Sequence, residues 1–132
     1  MRAAVLTLVL LAACSADQPA APSVDNPLGR YTLRTVNGGK PPAVLNITTT
    51  HKLEILDGVV NLHATGTYTD STWLRITDQT GARLVTDVSQ GSWMRAQDRV
   101  DFSSVRGEDY SMTVTETSLH QDLVGSRLIY RK

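Results

Sequence analysis

The sequence of 132 residues has few of the features that reveal chemistry. It contains one cysteine, so it can form no internal disulfide. Thirteen Lys and Arg residues balance thirteen Asp and Glu residues, which argues against the clustered positive charge of a nucleic-acid binder. No proline follows Pro42, so the last ninety residues contain no block to strand pairing. We therefore expect a β-rich domain that does not bind nucleic acid.

Recognisable catalytic and metal-binding patterns are also missing. The three histidines have neither His-x-His nor His-x-x-x-His spacing, and no G-x-S-x-G elbow or Gly-rich phosphate loop occurs. Asp57 with Asp70, or Asp87 with Asp101, could pair as acid and base, but carboxylates are common on the polar faces of strands. We predict no enzyme, no catalytic residue, no metal site and no cofactor.

The start of the chain has the pattern of a secretion signal. Met1-Arg2 precedes the apolar run Ala3 to Ala13, which is too short for the roughly 20 residues of a membrane-spanning helix. The run ends in Leu11-Ala12-Ala13-Cys14, which resembles the lipobox of bacterial lipoproteins. The resemblance implies a signal peptide over residues 1–13 and acylation of Cys14, for example with palmitate, which would anchor the protein to the cell envelope at the outer membrane. The alternative is a secreted protein with an incidental free cysteine.

A short linker separates this cysteine from the domain. Residues 14–27 contain three prolines and one sizeable hydrophobe, Val24, so they have too little apolar surface to fold. We interpret residues 14–27 as the lipidated cysteine and a flexible Pro/Ala tether, and residues 28–132 as one domain.

Alternation of apolar and polar residues runs through that domain and is typical of β-strands. Short alternating runs are bounded by Gly, Asn or Asp, and Asp57-Gly58 is expected to end one run, while Gly91 is expected to form a bulge or turn. The strand candidates centre on 30–34, 45–48, 53–55, 60–64, 68–76, 84–88, 92–95, 100–102, 110–115 and 127–131. The pattern predicts an all-β, antiparallel up-and-down barrel of about eight strands, with a β-sandwich as the alternative. Pairing of the Tyr31 strand with the Tyr130 strand would close the barrel and remove its exposed edges.

Several segments resemble small bacterial lipoproteins with a lipocalin-like barrel. Gly29 to Pro42 (GRYTLRTVNGGKPP) is similar to their opening G-x-Y-x-L-x-x-V-N-G-x-x-x-P, and Gly58 to Tyr68 is similar to their G-x-L-x-L-x-x-x-G-x-Y hairpin. Gly91-Ser92-Trp93 and the terminal Leu128-Ile129-Tyr130-Arg131 resemble later strands. These motifs imply the barrel fold more than any activity.

Candidate contact residues come from the aromatic and basic side chains. Tyr68 and Trp93 could line a cavity, although packing in the core is the favoured alternative for both. Trp73 is out of phase with its strand and should face outward or mark a bulge. Arg75 or Arg95 could lie near the polar end of a ligand. We expect a barrel that binds a small hydrophobic or amphipathic ligand. The alternative is a non-enzymatic interaction or inhibitor module with a filled barrel, whose partner is an envelope protein.

Overall fold

Nine antiparallel strands make up the fold of the part of the chain that the computed structural model describes, residues 26–132. These residues contain no helix long and apolar enough to cross a membrane. The strands are β1 Gly29–Val36, β2 Ala43–Ile47, β3 His51–Leu62, β4 Thr67–Asp78, β5 Gly81–Ala96, β6 Arg99–Ser104, β7 Asp109–Thr115, β8 Ser118–Leu123 and β9 Ser126–Arg131.

Eight of these strands close into an up-and-down barrel. From β2 to β9, each strand pairs with its neighbour in sequence. Strand β1 completes the circle, because its first half pairs with β3, with Tyr31 opposite Val60, and its second half pairs with β9, with Leu33 opposite Tyr130. The extra strand, β2, continues along the edge of β3 where β1 leaves it. The predicted all-β barrel and the closure between the Tyr31 and Tyr130 strands are confirmed, and the sandwich is not formed.

One half of the barrel interior is filled by side chains. Alternate residues point inward, and Tyr31, Val60 and Leu119 are completely buried there. The Phe102 ring stacks on Tyr110 at 4.7 Å between ring centroids and meets Tyr68 edge-on at 4.8 Å. We call this region the packed half; its core also includes Leu33, Leu62, Tyr68, Val100, Phe102, Met112, Val114, Leu128 and Tyr130.

The other half is left open because four strands extend past the rest of the barrel. Strand β5 pairs with β4 over its length up to Ser92, but with β6 only from Gly91 to Ala96. The residues 81–90 of β5, with the facing parts of β4, β3 and β2, therefore form a wall on one side of the barrel entrance. We call this end of the barrel, bounded by the wall and by the β6–β7 and β8–β9 loops, the mouth.

Two expected interruptions of strands are wrong. At Asp57-Gly58 the chain does not end a strand, because β3 absorbs the irregularity as a bulge between Ile55 and Asp57. At Gly91 the pairing with both neighbours is regular. Glycine is needed there for space, since a Cβ atom on Gly91 would overlap the carbonyl oxygen of Ser103 in β6.

Strand β8 was not among the strand candidates. Its inward positions are Leu119, Gln121 and Leu123, and the central polar residue weakens the alternation that marks a strand. Gln121 can be polar because it lies at the mouth, where the interior is not packed.

Candidate functional site

The mouth contains a cavity that reaches into the barrel. Its volume is about 390 Å³, and it is more enclosed than the surface depressions at the β4–β5 tip and at the opposite end of the barrel. Aliphatic side chains from four strands and the β8–β9 loop form much of its lining, namely Leu45, Leu53, Leu74, Leu123 and Val124. The polar lining residues are Asp70, Thr72, Asp87, Ser89, Glu108, Asp109, Tyr110 and Gln121. We call this space the mouth cavity.

A carboxylate lies at the floor of the mouth cavity, where it meets the packed half. Asp70 is only 8% exposed, and its Oδ2 accepts a hydrogen bond of 2.9 Å from the Tyr110 hydroxyl. Its other oxygen, Oδ1, is buried and has no hydrogen-bond partner within the described residues. Buried polar atoms are nearly always paired, because an unpaired one costs roughly 1–3 kcal/mol. This oxygen is therefore an acceptor that a bound molecule could satisfy once the side chains that cover it shift aside.

The surroundings of Asp70 disfavour its charge. Burial raises the pKa of Asp70 from 3.8 to about 6; the hydrogen bond from Tyr110 opposes this rise, and the negative charge of Asp87 adds to it. The Thr72 hydroxyl is near enough to lower the pKa a little, but it forms no hydrogen bond with Oδ1. Burial and the nearby Asp70 also raise the pKa of Tyr110 far above its usual range, so this hydroxyl stays a donor.

The rim of the mouth cavity is acidic as well. Asp87, Glu108 and Asp109 line it together with Asp70, and no Lys, Arg or His side chain from residues 26–132 does. Arg106 approaches Asp87, with 3.6 Å between its Nη1 and the carboxylate Oδ1, but both side chains are mostly exposed. The field within the mouth cavity is consequently negative.

The predicted aromatic residues lie in three different places. Tyr68 belongs to the packed half, and its hydroxyl is 2.8 Å from the Ser89 Oγ at the cavity floor. Trp93 lies toward the opposite end of the barrel, where its Nε1 donates to the His63 carbonyl oxygen at 3.1 Å. Trp73 faces outward and is 37% exposed, opposite the bulge in β3.

Neither predicted arginine lines the mouth cavity. Arg75 is on the outer face of β4, where its Nε donates to the Glu54 Oε2 at 2.8 Å. That hydrogen bond is the main reason why the pKa of Glu54 is lowered. Arg95 is near the β5–β6 turn, at the opposite end of the barrel, and its Nε donates to the Gln97 carbonyl oxygen at 2.7 Å. Of the predicted contact residues, only Tyr68 comes close to the mouth cavity.

Asp70 is a candidate functional residue that the sequence pattern does not single out. It was considered only as one of several carboxylates on polar strand faces. A signal was present, since Asp70 is in phase with Tyr68 and Leu74, two residues expected to point inward along the same strand. An acidic residue in an inward position of a strand is costly, and such positions mark functional sites. Asp57, its suggested partner, instead accepts a hydrogen bond from the Gly58 amide.

No metal site is formed within residues 26–132, where no group of three or more His, Cys, Asp or Glu side chains is arranged to hold an ion. The predicted lipidation site, Cys14, lies outside the described residues, so its acylation stays a prediction.

No model of a known protein family and no curated protein matches this chain. Of the predicted resemblance, only the lipocalin-like barrel is supported, because the described residues form a closed, eight-stranded antiparallel barrel with one additional strand. No family match supports a lipoprotein identity.

Proposed function

We propose that the barrel binds a small amphipathic molecule in the mouth cavity. The observation that supports this proposal is that only one half of the barrel interior is packed. In the other half, a cavity of about 390 Å³ with a largely aliphatic lining opens above a floor that holds an unpaired carboxylate oxygen. Ligand sites commonly combine an apolar lining with a few placed polar groups. An interaction module with a filled barrel would have no need of this space.

The same proposal places the protein at the bacterial envelope. A lipid on Cys14 would hold it to the outer membrane, and the tether would leave the mouth clear of the lipid surface. The pattern Leu11-Ala12-Ala13-Cys14 supports this location. The role that we propose is binding and not catalysis, and the aliphatic part of the cavity lining supports it.

Native mass spectrometry of the full protein, extracted from its own host's membranes in detergent-free polymer nanodiscs, tests ligand binding. We expect a small molecule to accompany the protein and to be released on unfolding. The variant Leu74→Trp places a large ring in the mouth cavity and should lose the added mass. Leu84→Trp is the matched control, since Leu84 is 75% exposed on β5 and pairs opposite the outward-facing Arg75.

Two outcomes would overturn the proposal. One is the absence of any bound small molecule in the native protein, and the other is equal retention of that molecule by both Trp variants. A protein that copurifies in place of the small molecule, and that is lost in Trp73→Ala, would favour the interaction module.

A further inference from the structure

One acceptor at the floor of the mouth cavity has no hydrogen-bond donor among residues 26–132. Asp70 Oδ1 is buried without a partner, while Oδ2 is bound by Tyr110 and the Tyr68 hydroxyl contacts Ser89. A ligand with an N–H or O–H group that reaches Oδ1 would complete this network. A ligand that offers only acceptors, such as a carboxylate or phosphate, would add a second unpaired acceptor beside the first.

The charged side chains around the floor restrict which hydrogen-bond donor the ligand can carry. The side chains of Asp70, Asp87, Glu108 and Asp109 line the mouth cavity, and in the described part of the chain no positive side chain does. A cation that enters it replaces the missing countercharge of Asp70, whereas an anion meets repulsion in a site shielded from water. The electrostatic preference is therefore for a positively charged donor.

The cavity walls favour an organic cation over a metal ion. The acidic side chains do not converge as metal ligands within the described residues, and the space above Asp70 is bounded by Leu45, Leu53 and Leu74. An aliphatic lining stabilises a ligand with an apolar body, because each methylene group that it buries is removed from water. One charged contact at the floor and an apolar wall above it match an alkylamine.

We propose that the ligand is a cationic amphiphile whose protonated amine donates to Asp70 Oδ1 and whose short apolar chain packs against the leucines of the mouth cavity. This inference rests on the proposed function, because it specifies the chemical class of the molecule in the same cavity. It assigns Asp70 as the residue that determines specificity, by charge as well as by hydrogen bonding.

Three amphiphiles with the same eight-carbon chain test whether the cavity prefers a cationic, a neutral or an anionic headgroup: octylammonium, octanol and octanoate. Each is titrated as monomer into the full-length protein by isothermal calorimetry at about pH 8. We expect octylammonium to bind about tenfold or more tightly than octanoate, with octanol between them. Asp70→Asn should weaken octylammonium binding by about tenfold or more while changing octanol binding by about twofold or less.

Asp101→Asn is the matched control for loss of one negative charge. Asp101 lies on the outer face of β6, where Arg99 Nε is 2.7 Å from its Oδ1, so this variant should bind all three compounds like the native protein. If both Asn variants weaken octylammonium equally, the effect is one of net charge, and the assigned contact is wrong.

The pH dependence of the octylammonium affinity is a second test of the contact with Asp70. Because a proton competes with the ligand for Asp70, octylammonium affinity should fall as the pH drops below about 6, while octanol affinity should not. The titratable and charged groups that face Asp70 are Tyr68 on β4, Asp87 on β5, Tyr110 on β7 and Tyr130 on β9, with Glu108 and Asp109 at the rim and Arg106 beside Asp87. Asp70→Asn should abolish the part of the pH dependence centred near 6.

Failure of the cationic preference and failure of the proposed function would give different results. Equal or tighter binding of octanoate or octanol would overturn the cationic preference and leave the proposed cavity in place. Absence of binding by all three compounds, together with native protein that carries no small molecule, would overturn the proposed function itself.

Discussion

At the scale of single residues, Asp70 is placed where it lowers stability. Its carboxyl is 8% exposed, and one of its oxygens is unpaired. The raised pKa of about 6 means that the folded protein binds the Asp70 proton more tightly than the unfolded chain does. Ionisation of Asp70 above this pH therefore disfavours the folded state. A residue with this cost is typical of a site kept ready for a partner.

We predict that Asp70→Asn stabilises the protein at neutral and higher pH. As pH rises from about 4 through about 6, native Asp70 loses its proton at a cost that Asn avoids. The interval between 3.8 and about 6 corresponds to on the order of 3 kcal/mol, at about 1.4 kcal/mol per pH unit. Urea unfolding should therefore show the variant more stable at about pH 8, by up to this amount, and nearly equal to the native protein at about pH 4.

Comparing the stability of the variant and the native protein at both pH values separates the effect of Asp70 from that of other titrating groups. The pKa of Asp78 is lowered to about 2, mainly by hydrogen bonds from Thr80, and it affects both proteins alike. Asp101→Asn controls for the loss of one charge. A variant that is destabilised equally at both pH values would show that Asp70 is needed for packing and that its ionisation is not costly.

At the scale of the element, β5 connects the two halves of the molecule. Its last residues, Gly91 to Ala96, pair with β6 in the barrel, and its earlier residues form part of the wall of the mouth. Gly91 stands at the point where this pairing begins, close against the backbone of Ser103. The strand can pass from barrel to wall without a break only because this position has no side chain.

We predict that Gly91→Ala destabilises the barrel. The added methyl group would overlap the Ser103 carbonyl oxygen, so β5 and β6 must separate, at a cost of about 1–3 kcal/mol. The midpoint of urea unfolding measures this loss.

Gly39→Ala provides the matched control for this substitution. The nearest atom to a Cβ on Gly39 is the Val36 carbonyl oxygen at 3.6 Å, an ordinary contact, so its stability should change by about 0.5 kcal/mol or less. Equal midpoints for the two variants would mean that β6 accommodates the methyl group without losing its pairing.

At the scale of the whole molecule, a lipid anchor would determine where the barrel works. Acyl chains contribute about 0.8 kcal/mol for each buried methylene group, and two or more chains give stable membrane attachment. The barrel itself would then act at the length of a tether from the membrane. On this proposal, location and ligand binding would be separate properties, encoded in separate parts of the chain.

We predict that Cys14→Ser abolishes membrane attachment and leaves the barrel folded. The precursor should remain uncleaved by the lipoprotein peptidase, carry no acyl label and move out of the membrane fraction. Metabolic labelling with a palmitate analogue, followed by fractionation, measures both effects. Normal acyl labelling of this variant would contradict the lipobox assignment.

The sequence alone determined the fold class through alternation and turn residues. Apolar residues at every second position, turns such as Asn37-Gly38 and the absence of proline after Pro42 are local properties, and they were sufficient to predict an antiparallel barrel closed between its first and last strands. The same local signals failed at β8, where Gln121 interrupts the alternation, and at Gly91, where glycine meets a steric need instead of a turn.

Only the tertiary structure decided which half of the barrel is filled and which side chains share its cavity. That division depends on where β6 ends relative to β5, a relation between strands that alternation along one strand does not contain. It also depends on the burial of Asp70, since a carboxylate in an alternating strand looks the same whether water or Tyr110 faces it. Alternation reports the direction of a side chain, whereas the pKa and binding capacity of that side chain follow from the neighbours that folding brings to it.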